Sequence, residues 1–490
     1  MKYIIAIDCG TTSTRVVLYC LATQKIVKSA SRPTSLIYEG SNISFDALEL
    51  YAKTLDALRE VTLGLDLESV VSVGVTNQRE SVVFFDAYTK KPLANGISWQ
   101  CRRTSEMCDR LNAEGLAKTI TKKTGLVVDP YFSATKIKWT IDNMPNVKAA
   151  KEQGRLRVGT VDTWLIYCLT GGKVFVTDYS NASRTMLLNI KTLEWDAELL
   201  EIFDVDKNML PTLVSSNSFV GTTTDLGFPL KIAGILGDQQ ASLFGHACFR
   251  AGQAKSTYGT GCFILLNTED KIVYSKTRML TTIAYVLGGK PTYALEGAVF
   301  NATSIFDWLS SVGILSKAED IDKHASQVEN SGGVVFVPSF TGMGAPYWLG
   351  QAKAEIVGIS RNTTRFHITH AAVESIAFSV KEIIMCMERD TKQNIVQLKI
   401  DGGGSNSVVL SRAQADILNC PVLVSKEADT TALGAVYISG LSSGVFKSLS
   451  DIENLTKYKA TYVMRKDKIE SAKKSFEHYK NMVAKTLKKY

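Results

Sequence analysis

Short apolar runs and longer stretches with helical periodicity follow one another along the whole chain. Residues 4–7 are apolar and mostly β-branched, which is typical of a short buried strand. The chain turns at residues 9–13 and returns to an apolar run at residues 16–19. Further strands are predicted at residues 25–30, 70–76, 82–85, 231–237, 396–400 and 422–424.

Helices are predicted between these strands from apolar residues that recur at helical spacing. They cover residues 45–61, 158–169, 364–390, 408–418, 429–441 and the C-terminal stretch from residue 469. Alternating strands and helices in both halves indicate an α/β fold. At 490 residues the chain is too long for one core, so we expect two domains, residues 1–245 and 246–490.

Three polar, glycine-containing turns follow predicted strands, at residues 9–13, 259–261 and 401–406. Backbone N–H groups and hydroxyls in such turns suit phosphate oxygens, and Asp8 beside the first turn could hold a metal through water. The first turn alone is equally well interpreted as an ordinary polar hairpin. Three such turns together favour a nucleotide held between two halves of a duplicated fold.

Charged residues also follow two apolar strands, as they do in the ligand crevices of α/β sheets. Arg79 and Glu80 offer donors and acceptors to vicinal hydroxyls. Asp238 could be a general base aimed into a cleft, or it could simply cap the helix that follows. Trp99 is either a core residue or an apolar wall for a polyol. The polar run at residues 177–184 is interpreted as a loop.

Composition places the chain among ordinary soluble globular proteins, with 45% apolar and 21% charged residues. The net charge of +8 fits an acidic small substrate or product and argues only weakly for nucleic acid. Nine scattered cysteines are interpreted as free thiols in a reducing compartment. With no secretory signal and no apolar run of membrane-spanning length, we expect a cytoplasmic protein that does not insert into membranes. The basic C-terminal helix is expected to pack on the protein rather than on an anionic membrane.

A set of longer blocks resembles the FGGY carbohydrate kinases. The P-loop pattern and the protein-kinase motifs are both absent from the sequence. The resemblance spans residues 3 to about 444 and keeps the order of blocks that the family has. Its most specific blocks are IDCGTTSTR, GVTNQRE, WQCRRT, DPYFSATKIKW, GTVDTWLIYCLTGGKVFVTDYSNASRTMLLNI, GDQQASLFG, STYGTGCF, YALEGAVF and TGMGAPYW.

The resemblance implies an actin-like ATPase fold, in which two ribonuclease-H-like domains enclose a deep nucleotide cleft. It implies ATP and Mg²⁺ as cofactors, glycerol as the acceptor, glycerol 3-phosphate as the product, and a homodimer. The alternatives are a family member that phosphorylates another polyol or a pentulose, and a non-catalytic ATP-binding relative.

The resemblance also assigns roles to individual positions. Asp238 would be the catalytic base, and Asp8 would help hold the metal. The acceptor site would comprise Arg79, Glu80, Tyr131, Asp238 and Gln239, with Trp99 and Phe263 as an apolar pair. The nucleotide side would comprise Thr11, Thr12, Ser13, Arg15, Thr260, Thr303, Gly403 and Ser407.

Four regions depart from the pattern of the glycerol-phosphorylating branch. Glycine, glutamine and asparagine are common there where this chain has Thr303, Asp307 and Ser407, all on the adenosine side. Residues 35–46 lack the Gly-Trp-containing run typical of that branch. Members inhibited by fructose 1,6-bisphosphate carry an arginine in a glycine-rich loop, and the matching residues 221–229 have none. We therefore expect insensitivity to that inhibitor.

Overall fold

Strands and helices alternate along residues 1–490, all of which the structure, a computed structural model, describes. The strands of the first half are β1 (Tyr3–Cys9), β2 (Ser13–Cys20), β3 (Lys25–Pro33), β4 (Ile37–Glu39), β5 (Asn42–Phe45), β6 (Val70–Asn77), β7 (Val82–Asp86), β8 (Gly96–Ile97), β9 (Leu156–Thr160), β10 (Val176–Asp178), β11 (Leu188–Asn189), β12 (Glu194–Trp195), β13 (Thr212–Val214), β14 (Phe219–Thr222) and β15 (Lys231–Gly237). Those of the second half are β16 (Gln253–Tyr258), β17 (Cys262–Glu269), β18 (Leu280–Leu287), β19 (Lys290–Val299), β20 (Val335–Val337), β21 (Glu355–Val357), β22 (Gln397–Asp401), β23 (Val422–Ser425) and β24 (Tyr458–Tyr462).

Sixteen helices connect these strands, and the helix predicted from residue 364 is the longest at 27 residues. The helices are α1 (Ala47–Thr62), α2 (Ser105–Ala113), α3 (Ala117–Thr124), α4 (Ser133–Asn143), α5 (Pro145–Glu152), α6 (Val161–Leu169), α7 (Tyr179–Ala182), α8 (Ala197–Ile202), α9 (Asp238–Gly245), α10 (Ser304–Ser311), α11 (Ile321–Ala325), α12 (Arg365–Thr391), α13 (Val408–Leu418), α14 (Thr430–Ser442), α15 (Leu449–Glu453) and α16 (Ile469–Leu487).

A six-stranded sheet in the first half brings three strand ends together. Its order is β14-β15-β6-β1-β2-β3, and β15, β6 and β1 run parallel. Asn77 lies opposite both Cys9 and Gly237 in the register of these strands. Because the carboxyl ends of parallel strands meet at one edge of a sheet, the segments that follow them share a single crevice.

A seven-stranded sheet in the second half carries the other two glycine turns. Its order is β18-β19-β17-β16-β22-β23-β24, and β16 runs parallel to β22 with Thr257 opposite Asp401. Both turns therefore lie at the same sheet edge. Gly402 has a φ of +81°, and a Cβ there would lie 2.5 Å from the carbonyl oxygen of Tyr258. Only glycine fits this close approach of the two turns.

The two halves pack against each other through α9 and α14. A Cβ at Gly434 would lie 1.8 Å from the carbonyl oxygen of Ala241, so the two helices meet backbone to backbone. Small residues of α14, among them Ala432, Gly434 and Ala435, allow this close approach. No helix in the chain is both long enough and apolar enough to cross a bilayer.

Two local predictions are wrong. The polar run at residues 177–184 is a buried strand end followed by α7, and Asp178 accepts hydrogen bonds from the backbone N–H groups of Ser180 and Asn181 at 3.0 Å. The helix predicted from residue 158 begins only at Val161, because Val158 pairs with Phe84 in β9. Local polarity and helical spacing cannot reveal pairing with a distant strand.

The C-terminal helix α16 packs on the second half, as predicted. Phe476, Tyr479 and Val483 are buried, and the Tyr479 hydroxyl lies 3.0 Å from that of Ser379 on α12. The lysines of α16 remain on its solvent side.

Candidate active site

Asp8 and Asp238 lie at the shared edge of the first sheet, where β1 and β15 end. Burial raises the pKa of the Asp8 carboxyl well above its ordinary value, and the nearby carboxylates of Asp429 and Asp238 raise it further. Arg15 opposes this shift but does not cancel it. The edge therefore carries an excess of negative charge that a cation would relieve.

Arg79 and Glu80 follow β6 into the same crevice, and both side chains are almost fully buried. Glu80 has a φ of +61°, a conformation that is uncommon for residues other than glycine. Arg79 contacts Asp238 at 3.1 Å through Nε and donates to the Tyr131 hydroxyl at 3.3 Å. Four of the predicted acceptor-site residues are thus in one cluster.

Two further charged residues complete this cluster, and neither was singled out from the sequence. Glu296 on β19 accepts hydrogen bonds from Arg79 at 2.6 and 3.0 Å and from Arg184 at 2.9 Å. Arg184 also donates to Glu80 at 2.6 Å. All four side chains are buried, so each charge depends on its partners for compensation.

Aromatic rings form one side of the cluster. Trp99 meets Tyr131 edge to face at 5.6 Å between ring centroids and Phe263 at 6.3 Å. The indole nitrogen of Trp99 donates to the Thr11 hydroxyl at 2.8 Å. This contact links the aromatic wall to the first glycine turn, so the acceptor cluster and one phosphate-type turn are neighbours.

Asp238 is the first residue of α9, and the N-cap position is Gly237. Asp238 is therefore not the N-cap residue of α9, and Gly237 makes no side-chain cap. Its carboxylate accepts from the Gln239 backbone N–H at 2.7 Å and keeps 29% of its side chain exposed. Of the two carboxylates predicted for the acceptor site, Asp238 is the more exposed.

The three glycine turns present their tips to solvent. Gly10 donates its N–H to the carbonyl of Ser13 at 3.0 Å, which closes the first turn and leaves Thr12 exposed and Thr11 and Ser13 half-buried. Thr260 and Gly403 are exposed at the tips of the second and third turns. Free hydroxyls and backbone N–H groups at turn tips are suited to binding phosphate oxygens.

Three other predicted nucleotide-side residues are engaged with protein partners. Arg15 forms an ion pair with Asp429 at 2.7 Å between the two halves. Thr303 donates its hydroxyl to the carbonyl of Gly259 at 2.8 Å. Ser407 caps α13 and donates to Asp322, which commits its hydroxyl to structure rather than to the cleft.

No group of three or more His, Cys, Asp or Glu side chains is placed to enclose a metal ion. Magnesium in phosphoryl-transfer sites is usually held by one or two carboxylates, water and substrate phosphates. The charge excess around Asp8 fits that kind of site. The residues present therefore suit Mg²⁺ bound together with a nucleotide, not a cage made of protein alone.

Two buried charged residues that were not singled out, Glu296 and Lys255, share one sequence signal, whereas Arg184 lies in the polar run at residues 177–184 and gives none. Glu296 interrupts the apolar run YALEGAVF, and Lys255 stands in the buried strand β16. A charge inside an apolar strand is costly unless it is paired. Such a charge marks a paired site, but the sequence cannot say which distant residue is its partner.

The sequence models of one family match most of the chain. The model for the FGGY family of carbohydrate kinases, N-terminal domain, matches residues 3–245, and the one for the C-terminal domain matches residues 254–443. A glycerol kinase from Treponema denticola is 43% identical, with 99% of each chain covered. One from Desulforamulus reducens is 46% identical, with 95% of each chain covered.

Among solved structures, that of Plasmodium falciparum glycerol kinase with ADP superposes with a TM-score of 0.93. It is 35% identical and covers 99% of this chain, while 98% of its own chain is covered. The predicted α/β architecture with an actin-like ATPase arrangement is therefore confirmed. This chain belongs to the FGGY family of carbohydrate kinases.

Proposed function

We propose that this chain transfers the γ-phosphoryl group of ATP to a terminal hydroxyl of glycerol, giving glycerol 3-phosphate and ADP. The observation that carries the proposal is the position of the buried Arg79–Glu80 cluster. It shares one sheet edge with Asp238 and is joined through Trp99 to the phosphate-type turn at Thr11. The similarity to glycerol kinases over nearly the whole chain supports glycerol as the acceptor.

Asp238 would orient the attacking hydroxyl and take its proton. The hydroxyl oxygen then forms a bond to the γ-phosphorus while the bond from that phosphorus to the bridging oxygen of ADP breaks. In the loose transition state of such reactions, the O–H bond of the attacking hydroxyl is only slightly broken. Alignment by Asp238 and its neighbour Arg79 therefore matters at least as much as basicity.

The phosphate side would be held by the turn tips. Thr11, Thr12, Ser13 and Arg15 from the first half and Thr260 and Gly403 from the second would face the nucleotide, with Thr303 and Ser407 supporting the turns on the adenosine side. Mg²⁺, which Asp8 would hold through water, neutralises charge on the phosphate oxygens when bound. Donors fixed in place stabilise the charge that spreads over the transferred group.

Selectivity for a small polyol follows from paired polar groups in a buried site. Arg79 and Glu80 can hydrogen-bond adjacent hydroxyls, and an analogue lacking one hydroxyl leaves a buried group unpaired. Trp99 and Phe263 would contact the carbon chain. A pentulose has two more carbon atoms than glycerol, and one of its carbons is a carbonyl, so a longer chain must be placed beside the same aromatic wall.

One assay tests the proposal. ADP release from ATP and Mg²⁺ is measured with glycerol, with xylulose, with ribulose and without acceptor. We expect the highest kcat/KM with glycerol and little release without acceptor. A higher kcat/KM with either pentulose would point to a different sugar kinase, and no acceptor-dependent release at all would point to a non-catalytic ATP-binding relative.

The same proposal includes a homodimer that works in the cytoplasm. All nine cysteines are free, which suits a reducing compartment. Sedimentation equilibrium of the purified chain tests the dimer, since a monomer mass at micromolar concentration contradicts it.

A further inference from the structure

Lys255 lies in the middle of β16 with its side chain fully buried. Its ammonium nitrogen is 2.5 Å from Oε1 of Gln239 and 3.0 Å from the Thr257 hydroxyl. Burial lowers the pKa of Lys255, while the carboxylates of Asp401 and Asp238 act in the opposite direction. A buried ammonium needs hydrogen-bond acceptors, and the Gln239 oxygen is one of the two that contact Lys255.

The contact with Lys255 also determines which end of the Gln239 amide faces Lys255. A lysine ammonium is a hydrogen-bond donor only, so it pairs with the oxygen of an amide and never with its NH₂ group. Gln239 could otherwise present either end of its amide to a ligand. With its oxygen held by Lys255, the NH₂ group is the end left free.

We propose that Lys255 is a positioning residue, which holds the oxygen of Gln239 so that the amide NH₂ group faces the acceptor substrate. The inference rests on the proposed function, since it assigns Gln239 to the acceptor site. The acceptor site then contains both hydrogen-bond acceptors and hydrogen-bond donors for the hydroxyl groups of the substrate. Asp238 and Glu80 accept hydrogen bonds, and Arg79 and Gln239 donate them.

The arrangement suits the hydroxyl that reacts. That hydroxyl gives its proton to Asp238. Its oxygen can at the same time accept a hydrogen bond from a donor nearby, and this bond fixes its position. A flipped Gln239 amide would place a second acceptor beside Asp238 and leave the hydroxyl oxygen without that donor. Lys255 excludes the flipped state, because its ammonium would then face the NH₂ group.

The chain supplies a matched control for Lys255. Lys399 lies directly opposite it in the register of β16 and β22, and it is also buried. Its ammonium donates to the backbone carbonyls of His246 and Ala247, at 2.7 and 3.1 Å, and has no acceptor-site partner. Removing either ammonium removes a buried charge from the same sheet, but only Lys255 contacts Gln239.

The experiment measures kcat, KM for the acceptor and the thermal midpoint of Lys255→Met, Gln239→Leu, the double variant and Lys399→Met. It uses the polyol that the wild-type chain phosphorylates fastest, so the wild-type assay alone decides the proposed function. We expect Lys255→Met to raise KM about 5–30-fold with kcat changed much less, since a hydrogen bond made throughout the reaction is lost. Lys399→Met should lower the thermal midpoint and leave KM unchanged.

Coupling between the two residues decides the inference. In the Gln239→Leu background, Lys255→Met should raise KM by less than about 3-fold, because the amide through which it acts is gone. An equal rise in both backgrounds, or an unchanged KM in Lys255→Met, would overturn the positioning role.

Gln239→Glu provides a test that keeps Lys255 in place. The glutamate retains the oxygen that binds Lys255 but has no N–H to offer, so its KM should rise at least as far as that of Gln239→Leu. A Gln239→Glu protein with near wild-type KM would mean that an oxygen, not an NH₂ group, faces the substrate, and the inference would fail.

Discussion

Glu296 of the second half accepts two hydrogen bonds from the guanidinium of Arg79 in the first half, at 2.6 and 3.0 Å. Burial alone would raise the pKa of Glu296, but Arg184 and Arg79 outweigh it and lower the pKa to about 2. Two arginines and two glutamates thus balance one another in a buried network that bridges the halves. The guanidinium of Arg79 is therefore held in part by a residue of the other half.

Changing Glu296→Gln tests this dependence. The amide has one accepting oxygen in place of two, so it loses at least one of the three hydrogen bonds. It also leaves buried positive charge uncompensated, a loss of about 3–5 kcal/mol of stability for a broken buried pair. We expect a lower thermal midpoint and a fall in kcat/KM for glycerol of about 10–100-fold. The smaller of these falls corresponds to the loss of one hydrogen bond to a charged group. Glu355→Gln, which removes a pair with Lys489 at the surface of the same half, is the control. Unchanged kcat/KM in Glu296→Gln would contradict the role.

Changing Asp238→Asn tests the catalytic base. The amide keeps the size of the side chain but loses the negative charge and the capacity to take a proton. We expect kcat to fall by about 10²–10⁴-fold, near the low end if the transition state is loose. KM for ATP and the thermal midpoint should change little, and Asp142→Asn on the exposed face of α4 serves as control. Near-normal turnover in a stably folded Asp238→Asn protein would remove Asp238 from the mechanism.

Much of the fold follows from local sequence signals. The β-branched runs and the glycine-containing turns predict the strands and the turns between them. These signals are local because each reflects side-chain shape or backbone freedom at its own position. The family resemblance then orders the elements into one arrangement.

The candidate site was less predictable where it depends on pairing across the chain. Glu296 and Arg184 are 112 positions apart, yet they share one hydrogen bond at 2.9 Å. Nothing in the spacing of either residue points to the other. The polar run at residues 177–184 predicts a loop for the same reason, because its partners Asn77, Thr282 and Glu296 lie on strands that are distant in sequence.

The loop between β14 and β15 bears on regulation. Asp225 accepts a hydrogen bond from the Tyr51 hydroxyl, and Arg59 reaches only the backbone carbonyl of Asp225 at 3.5 Å. A carboxylate in the loop repels phosphate groups, and no arginine within the loop can pair with them. We expect no inhibition by fructose 1,6-bisphosphate in a titration at subsaturating glycerol. Inhibition by added ADP in the same assay serves as positive control, and potent inhibition by the sugar bisphosphate would show that the anion binds elsewhere.

Asp162 gives the chain a pH-dependent stability that can be measured near neutrality. Its carboxylate is fully buried and accepts from the hydroxyls of Thr160 and Thr177 at 2.5 and 2.7 Å. Burial raises the pKa of Asp162 to about 7; the two hydroxyls oppose this shift, and the nearby carboxylate of Asp178 adds to it. Below about pH 4 the carboxyl is protonated in both the folded and the unfolded chain. Between about pH 4 and pH 7 only the unfolded chain releases the proton, so rising pH favours unfolding.

An Asp162→Asn variant lacks this titration. Comparison of the two proteins should therefore show the wild type losing about 2–3 kcal/mol of stability relative to the variant between pH 5 and pH 8. The measurement is the difference in thermal midpoint between wild type and variant at several pH values, with Asp206→Asn, an exposed residue, as the control. The stability of the wild type relative to the variant should fall as the pH rises through about 7 and should then stay constant. A difference that is flat across this range would mean that the carboxyl is ionised throughout, stabilised by the two threonine hydroxyls more strongly than burial disfavours it.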